Sequence, residues 1–120
     1  MKRDERMKIE HNGTLMRIYV AQSRHRNHAD VHRLIVEALA EAKISGSVAF
    51  LGIQGYGRHN YISSANMADA YVDLPILIEA VDDDDKIRGF IPKLESILDD
   101  GLVTLERLQT IFYRVSDPAD

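Results

Sequence analysis

Apolar residues recur along this chain at two spacings, one typical of β-strands and the other of α-helices. Residues 14–21 alternate, with the cleaner apolar set on one face, and predict a first strand. From Val31 onward apolar residues follow at i+3, i+4, i+7, i+8 and i+11, which predicts a helix with one buried stripe. Asn27 is the predicted N-cap of this helix and Ser45-Gly46 its exit.

Two further strands flank a polar stretch in the middle of the chain. Residues 47–54 predict a strand in which Val48, Phe50 and Leu51 are buried. Residues 76–81 follow a proline, which can begin a strand but not sit inside a sheet. This second run is apolar on both faces, as a well-covered strand would be.

The remaining pattern predicts a second helix and a last strand. Residues 82–85 are all aspartate, and negative charge is favoured at a helix N-terminus, although a divalent-cation site is the alternative. Apolar residues at helical spacing follow over residues 87–98. Residues 102–114 alternate as a strand does, but the alternation slips between Leu105 and Leu108, which predicts a bulge or bend.

The order β-α-β-loop-β-α-β predicts an α+β fold, a ferredoxin-like βαββαβ sandwich. Its four-stranded antiparallel sheet carries both helices on one face. We predict one domain over residues 14–115, with residues 1–13 and 116–120 as flexible tails in which Met7 and Ile9 pair at a sheet edge. The uncovered sheet face predicts a homo-oligomer. The residues expected to line that face are Leu15, Tyr19, Leu51, Ile53, Ile76, Ile78 and Ile111.

Composition narrows the classes of function. The chain has 120 residues and a net charge of −4, which gives no general electrostatic footprint for nucleic acid or an anionic membrane. It has no cysteine, which excludes disulfides and thiolate chemistry. No apolar run approaches the roughly 20 residues of a membrane span, and the N-terminus has no apolar signal region. We therefore expect a cytoplasmic protein.

Three glycines, at positions 52, 55 and 57, close the second predicted strand, and a polar loop over residues 58–73 follows. Glycine lets a ligand or another backbone come close, so this stretch indicates a strand end that opens into a site. Long loops inside a compact domain are often functional. The alternative is a hairpin with an unusually long connection.

Several stretches, taken in order, resemble PII signalling proteins. Residues 46–58 resemble the segment that ends strand two of PII, and residues 37–46 the helix before it. Residues 72–82 resemble the far side of the PII T-loop, and residues 100–104 its short B-loop. The similarity covers residues 14–115. More narrowly, the chain resembles a small PII-like family of unassigned function whose members are sometimes encoded beside, or fused to, fluoride channels.

This resemblance implies a homotrimer with a nucleotide site in each cleft between subunits, and a membrane transporter or channel as a candidate partner. The effector it implies is an adenine nucleotide, and no resident cofactor is expected. Arg58 and His59 would stand at the base of the T-loop, and Arg114 would reach phosphate from the end of the last strand. The nucleotide-binding residues implied are Gly55, Tyr56, Gly57, Arg58, His59, Gly101, Leu102, Val103, Thr104 and Arg114.

Three departures from PII bear on the effector. Leu102 stands where PII has a B-loop lysine for the outer phosphates, and His59 stands where PII has a glutamine. Tyr113-Arg114 replaces the usual basic pair at the end of strand four. Each phosphate needs a compensating donor, so we expect AMP or ADP rather than ATP.

Other functions remain open at the level of the sequence. No Ser-His-Asp or Cys-His order is visible, and we expect no catalytic residues and no enzyme. A metal-handling trimer similar to the CutA branch of the superfamily is the main alternative. His28 and His32 are four residues apart at the predicted start of the first helix, where they could chelate a metal or simply be solvated. An enzyme acting on a nucleotide and a purely structural trimer are the remaining alternatives.

Overall fold

Four long strands and two helices make up the body of the protein. The computed structural model describes residues 6–56, 63–64 and 73–115. The predicted tails at residues 1–5 and 116–120 lie outside the described residues. The elements are β1 (Arg6–Ala21), β2 (His25–Arg26), β3 (Ala29–Asp30), α1 (Val31–Glu41), β4 (Gly46–Leu51), β5 (Gln54–Gly55), β6 (Ser63–Ser64), β7 (Pro75–Asp82), α2 (Asp84–Glu95) and β8 (Leu102–Val115).

The main sheet has the strand order β4-β7-β1-β8, and every neighbouring pair is antiparallel. Both helices pack on one face of this sheet. The predicted ferredoxin-like sandwich is therefore confirmed. Two small sheets, β2-β3 and β5-β6, lie in the connections between the main elements.

The core lies between the sheet and the helices. Met16 and Ile18 of β1 and Ile78 of β7 point into it and are fully buried. The predicted helical stripes supply the opposite side of the core, with Ile35 from α1 and Ile87 from α2. Burying side chains of this size contributes about 1.5–3 kcal/mol each, so this layer supplies much of the stability of the fold.

The sheet face away from the helices, which we call the open face, carries an apolar row across all four strands. The strand register places Phe50 opposite Leu77, Leu77 opposite Tyr19, and Tyr19 opposite Leu102. Phe50 is 48% exposed, Tyr19 39% and Leu102 58%. The chain alone therefore leaves a band of large apolar side chains in water.

Two predictions about burial are wrong. Val48, Phe50 and Leu51 were expected in the core, but β4 is an edge strand and its residues are exposed. Val48 and Phe50 belong to the open face, where no helix covers them. Ile76 and Ile78 were expected to line the open face, but alternation along β7 turns them toward the helices, where both are buried.

β1 and β8 extend beyond the rest of the sheet as a two-stranded ribbon, formed by residues 6–13 and 108–115. Residues 6–13, predicted as part of a flexible tail, form strand from Arg6 onward. Met7 and Ile9 do pair, opposite Arg114 and Phe112. The long axis of the molecule, 56 Å against 30 Å and 28 Å, reflects this extension.

The bulge predicted between Leu105 and Leu108 is wrong. β1 and β8 pair one residue to one residue without interruption, from Arg6 opposite Val115 to Tyr19 opposite Leu102. The apolar alternation changes along β8 because its first part lies in the helix-covered sheet and its last part, residues 108–115, lies in the ribbon. In the ribbon no helix of the described residues covers one face, so apolar residues need not stay on that face.

The first helix begins later than predicted. Asp30, not Asn27, occupies its N-cap position. Asn27 and His28 have positive φ angles of 51° and 68° and form the two-residue turn between β2 and β3. His28 and His32 consequently do not share a helix face, and the described residues contain no group of three or more potential metal ligands.

The aspartate run opens α2, as predicted, with Asp83 as the N-cap. Asp82 is the last residue of β7 and is only 4% exposed. It accepts the backbone N–H groups of Ser45 at 2.8 Å and Asp83 at 2.7 Å, while Lys86 lies 3.4 Å away. These partners explain Asp82 as a structural anchor. No helix in the described part of the chain is long and apolar enough to cross a membrane.

Candidate functional site

One end of the main sheet gathers most of the predicted site. The register places the end of β1 beside the start of β7, with Ala21 opposite Pro75, and beside the start of β8, with Tyr19 opposite Leu102. β4 reaches the same end, with Leu51 opposite Ile76. The glycine-rich strand end and the segment from Gly101 to Thr104 therefore lie at the same end of the sheet.

Within one chain, however, these two groups occupy opposite edges. β7 and β1 lie between β4, which leads to Gly55 and Tyr56, and β8, which begins at Leu102. Three strand spacings separate the outer strands, or about 14 Å. A single ligand would meet both groups most directly where the β4 edge of one copy approaches the β8 edge of another.

The glycines of the strand end have a packing reason of their own. The N–H group of Gly52 donates to the carbonyl of Pro75 at 2.7 Å. A Cβ atom on Gly52 would lie 2.7 Å from Cγ of Pro75, and one on Gly55 would lie 3.1 Å from it. The group that approaches both glycines is thus the ring of Pro75 at the start of β7, joined at Gly52 by the Pro75 carbonyl oxygen at 3.1 Å. Tyr56, next in the chain, is 69% exposed.

The segment over residues 101–104 starts with another close approach. A Cβ atom on Gly101 would lie 2.6 Å from the carbonyl oxygen of Tyr19, so only glycine fits there. Leu102 belongs to the apolar row of the open face, and Val103 packs against the core. Thr104 is exposed and lies opposite Arg17. This segment offers backbone groups and one hydroxyl to a ligand, but no charge.

Arg114 lies at the far end of the molecule. Twelve residues of β8 separate it from Leu102, which corresponds to about 40 Å of strand. Its guanidinium lies 5.9 Å from the centre of the Phe112 ring, in the ribbon. Arg114 therefore cannot join residues 101–104 of its own chain. The other predicted site residues, Gly57, Arg58 and His59, lie outside the described residues, as does most of the loop over residues 58–73.

A polar network at this end of the sheet was missed by the sequence analysis. Ser23 donates from its backbone N–H and its hydroxyl to the carboxylate of Asp73, at 2.9 Å and 2.7 Å. Arg24 forms an ion pair with Asp100, the residue before Gly101. One signal in the sequence points to the hairpin beside this network: Asn27 lies in a short polar stretch, which is typical of a two-residue hairpin turn. The apolar stripe that follows this asparagine favours a helix N-cap there instead.

Charge on the open face is concentrated in a second row beside the apolar one. Arg17 donates to Glu79 and to Glu106, each at 3.1 Å, across three neighbouring strands. The hydrogen bonds to Glu79 and then to Glu106 raise the pKa of the Arg17 guanidinium above its ordinary value. The group stays charged at any accessible pH, and the row carries a net charge of about −1 at neutral pH.

Comparison with known proteins gives the family and the fold. The family model DUF190, described as Uncharacterized ACR, COG1993, matches residues 13–110. A UPF0166 protein of Aquifex aeolicus is 30% identical over 95 residues, which cover 79% of this chain and 93% of that protein. A UPF0166 protein of Methanocaldococcus jannaschii is 29% identical over 92 residues, covering 76% of this chain and 84% of that one.

Among solved structures, the chain is similar to CPII, a nitrogen regulatory PII-like protein from Thiomonas intermedia K12 solved with ADP, AMP and bicarbonate bound. The TM-score is 0.58, with 17% identity over 85% of this chain and 91% of CPII. At that identity the likeness concerns the fold. The chain belongs to the DUF190 family, and it has the fold of PII-like proteins.

Proposed function

We propose that this protein is a PII-like sensor without enzymatic activity. In this proposal it forms a homotrimer, binds AMP or ADP in the clefts between subunits, and signals through the loop over residues 58–73. A membrane transporter or channel is the candidate partner. The observation that carries the proposal is the placement of Gly55-Tyr56 and Gly101–Thr104 at one end of the sheet but on opposite edges. A cleft between two copies brings such edges together.

The open face supports the oligomer. Its apolar row leaves Phe50, Tyr19 and Leu102 substantially exposed in the single chain, and exposed bands of this kind mark association surfaces. The ADP and AMP bound by CPII support the choice of ligand. The absence of a charged side chain among residues 101–104 supports few phosphates rather than three, because an unpaired, partly buried phosphate is unfavourable.

The described residues give no support to the metal-handling alternative. Of the two histidines that suggested it, His28 lies in the β2–β3 turn, whereas His32 lies on α1. Asp30 lies between two histidines, with His25 at 2.9 Å and His32 at 3.8 Å. The described residues nevertheless contain no group of three or more side chains placed to hold a metal ion.

The proposal is tested by titration calorimetry of AMP, ADP and ATP at one magnesium concentration. AMP or ADP should bind more tightly than ATP. Substituting Leu102→Lys restores the residue type that PII has there and should raise the affinity for ATP relative to ADP. Ile111→Lys adds the same charge to the same strand, nine residues along at about 30 Å, and should leave the ratio unchanged.

Light scattering on both variants must give the wild-type mass for this comparison to hold. Tightest binding of ATP by the wild-type protein would contradict the interpretation of Leu102. Failure of all three nucleotides to bind would overturn the nucleotide site itself.

A further inference from the structure

Ser23 and Arg24, which follow β1, contact the residue that ends the central loop and the residue directly before the 101–104 segment. Ser23 makes two hydrogen bonds to Asp73, the last residue before Leu74 and β7. Arg24 pairs with Asp100, directly before Gly101. We call Ser23-Arg24 the strap. It joins Asp73, which ends the central loop, to Asp100, which directly precedes the 101–104 segment.

The backbone of the strap is itself held from three sides. Gln22 donates its N–H to the carbonyl of Leu74 at 2.9 Å, and Arg24 donates to Ala21 at 3.1 Å. The carbonyl of Arg24 accepts the N–H of Val31, the first residue of α1, at 3.0 Å. These hydrogen bonds tie Gln22 and Arg24, on either side of Ser23, to β1, to α1 and to the residue before β7, and so hold the backbone from which the Arg24 side chain reaches Asp100.

The ion pair between Arg24 and Asp100 is partly shielded from water. Their side chains are 35% and 29% exposed. Screening by solvent and salt is weaker for partly buried pairs, and guanidinium–carboxylate hydrogen bonds are directional. Gly101 has no room for a Cβ atom beside the Tyr19 carbonyl oxygen. Because Asp100 is covalently joined to Gly101, a displacement of Asp100 would disturb this close approach at the start of the 101–104 segment.

We propose that Arg24 is a positioning residue for nucleotide binding: through Asp100 it holds the 101–104 segment in the conformation that receives the ligand. The inference rests on the proposed function. Arg24 acts here through Asp100 and not by attracting phosphate. This distinction matters because an arginine near an anionic ligand could also act by charge alone.

The two mechanisms predict opposite effects of substituting Asp100. If Arg24 attracted the phosphates, Asp100→Asn would remove a competing carboxylate and strengthen ADP binding. If Arg24 positions the segment, Arg24→Gln and Asp100→Asn should both weaken ADP binding, each on the order of tenfold, as is typical for coupling between linked sites. The double variant should bind no more weakly than the weaker single variant, because both substitutions break the same link.

The measurements are calorimetric titration of ADP and hydrogen exchange of residues 99–104 without ligand. Arg33→Gln is the matched control, since Arg33 is exposed and its ion pair with Glu37 at 3.8 Å lies on α1. Arg24→Lys, which keeps the charge but not the planar fork, should recover part of the affinity. Exchange in the 99–104 segment should be faster in Arg24→Gln and Asp100→Asn and unchanged in the control.

Unchanged or tighter ADP binding by Asp100→Asn, with normal binding by the wild-type protein, would overturn this inference alone. If Arg24→Gln does not fold, Asp100→Asn and Arg24→Lys decide the question. Absence of ADP binding by the wild-type protein would overturn the proposed function, and this inference with it. Hydrogen exchange of residues 99–104 would in that case still show whether the Arg24–Asp100 ion pair holds this segment in place.

Discussion

At the scale of single residues, the surroundings of a glycine determine whether its substitution by alanine stabilises or destabilises the fold. Gly89 lies inside α2, and nothing within 4 Å would meet a Cβ atom. Gly101 lies against the backbone of β1, where a Cβ atom would be 2.6 Å from the Tyr19 carbonyl oxygen. The same substitution therefore acts through helix propensity at one position and through steric overlap at the other.

We predict that Gly89→Ala stabilises the protein by about 0.5–1 kcal/mol, because alanine loses less conformational freedom than glycine in a helix. Gly101→Ala should destabilise it by about 1–3 kcal/mol, since the backbone of β1 or β8 must shift. Urea unfolding at one protein concentration measures both variants. Shifts in the same direction would contradict this account of the two positions.

Asp82 supports a second prediction at this scale. Burial alone would raise its pKa, but hydrogen bonds from the N–H groups of Asp83 and Ser45, together with Lys86, outweigh burial and lower the pKa below the ordinary value. A depressed pKa in the folded state means that the ionised carboxylate stabilises the fold above the pKa of the unfolded chain, about 3.9. That contribution is lost as the pH falls through the folded-state pKa.

Asp82→Asn should therefore lower the free energy of unfolding at pH 7 by about 2 kcal/mol, since two hydrogen bonds to a charged acceptor are weakened. The difference from the wild-type protein should shrink below about pH 4. Urea unfolding at a series of pH values measures it. Asp85→Asn, an exposed neighbour in the same run, is the matched control and should have little effect at any pH. A constant difference across the pH range would exclude the proposed role of the ionised form.

At the scale of elements, periodicity identified the four long strands and both helices. It did not reveal the β2-β3 hairpin or the exposure of β4. Strands of two residues, such as β2 and β3, are too short to show alternation. Their turn depends on positive φ angles at Asn27 and His28, which the pattern of apolar residues does not encode. Phe50 is an apolar residue on the open face, not in the core. The sequence cannot distinguish the two cases, because association surfaces and cores use the same residue types.

The ribbon allows a prediction for a whole element. Residues 14–19 of β1 have a hydrogen-bonded neighbouring strand on each side, whereas residues 6–12 pair only with β8 in the described part of the chain. Two-stranded ribbons are marginally stable in water. Backbone amides of residues 6–12 should exchange much faster than those of residues 14–19, as measured by hydrogen exchange of the native protein. Equal protection would contradict the prediction and would mean that another chain covers the ribbon.

At the scale of the whole molecule, the site could be predicted only in part. The resemblance grouped residues that the sheet does place at one end, such as Gly55 and Leu102, yet it also included Arg114. The length of β8 puts that arginine about 40 Å away. Sequence spacing could not reveal this separation, because it depends on how far β8 continues in extended form past the core.

The proposed trimer predicts the effect of a charge on the open face. The wild-type protein should have three times the chain mass of 13.6 kDa by light scattering. Phe50→Asp should reduce the mass to that of one chain at micromolar concentration, because a carboxylate would be buried in the interface without a partner. Since Phe50 is 48% exposed in the single chain, the subunit itself should remain folded.

Ala40→Asp, an apolar-to-acid change at an exposed position on α1, is the control and should keep the wild-type mass. A wild-type protein that is monomeric at micromolar concentration would remove the basis for both the trimer and the clefts.

The ion pairs of Arg17 with Glu79 and Glu106 have a consequence for a newly synthesised chain. On a single chain the open face presents exposed apolar side chains of the kind that favour aggregation. The charged row interrupts that surface beside the apolar row, so an indiscriminate hydrophobic contact would have to strip water from three ionised groups. Only a surface that leaves them hydrogen-bonded can cover the face without that penalty. The row thus delays encounters with wrong partners during the interval when the chain is alone.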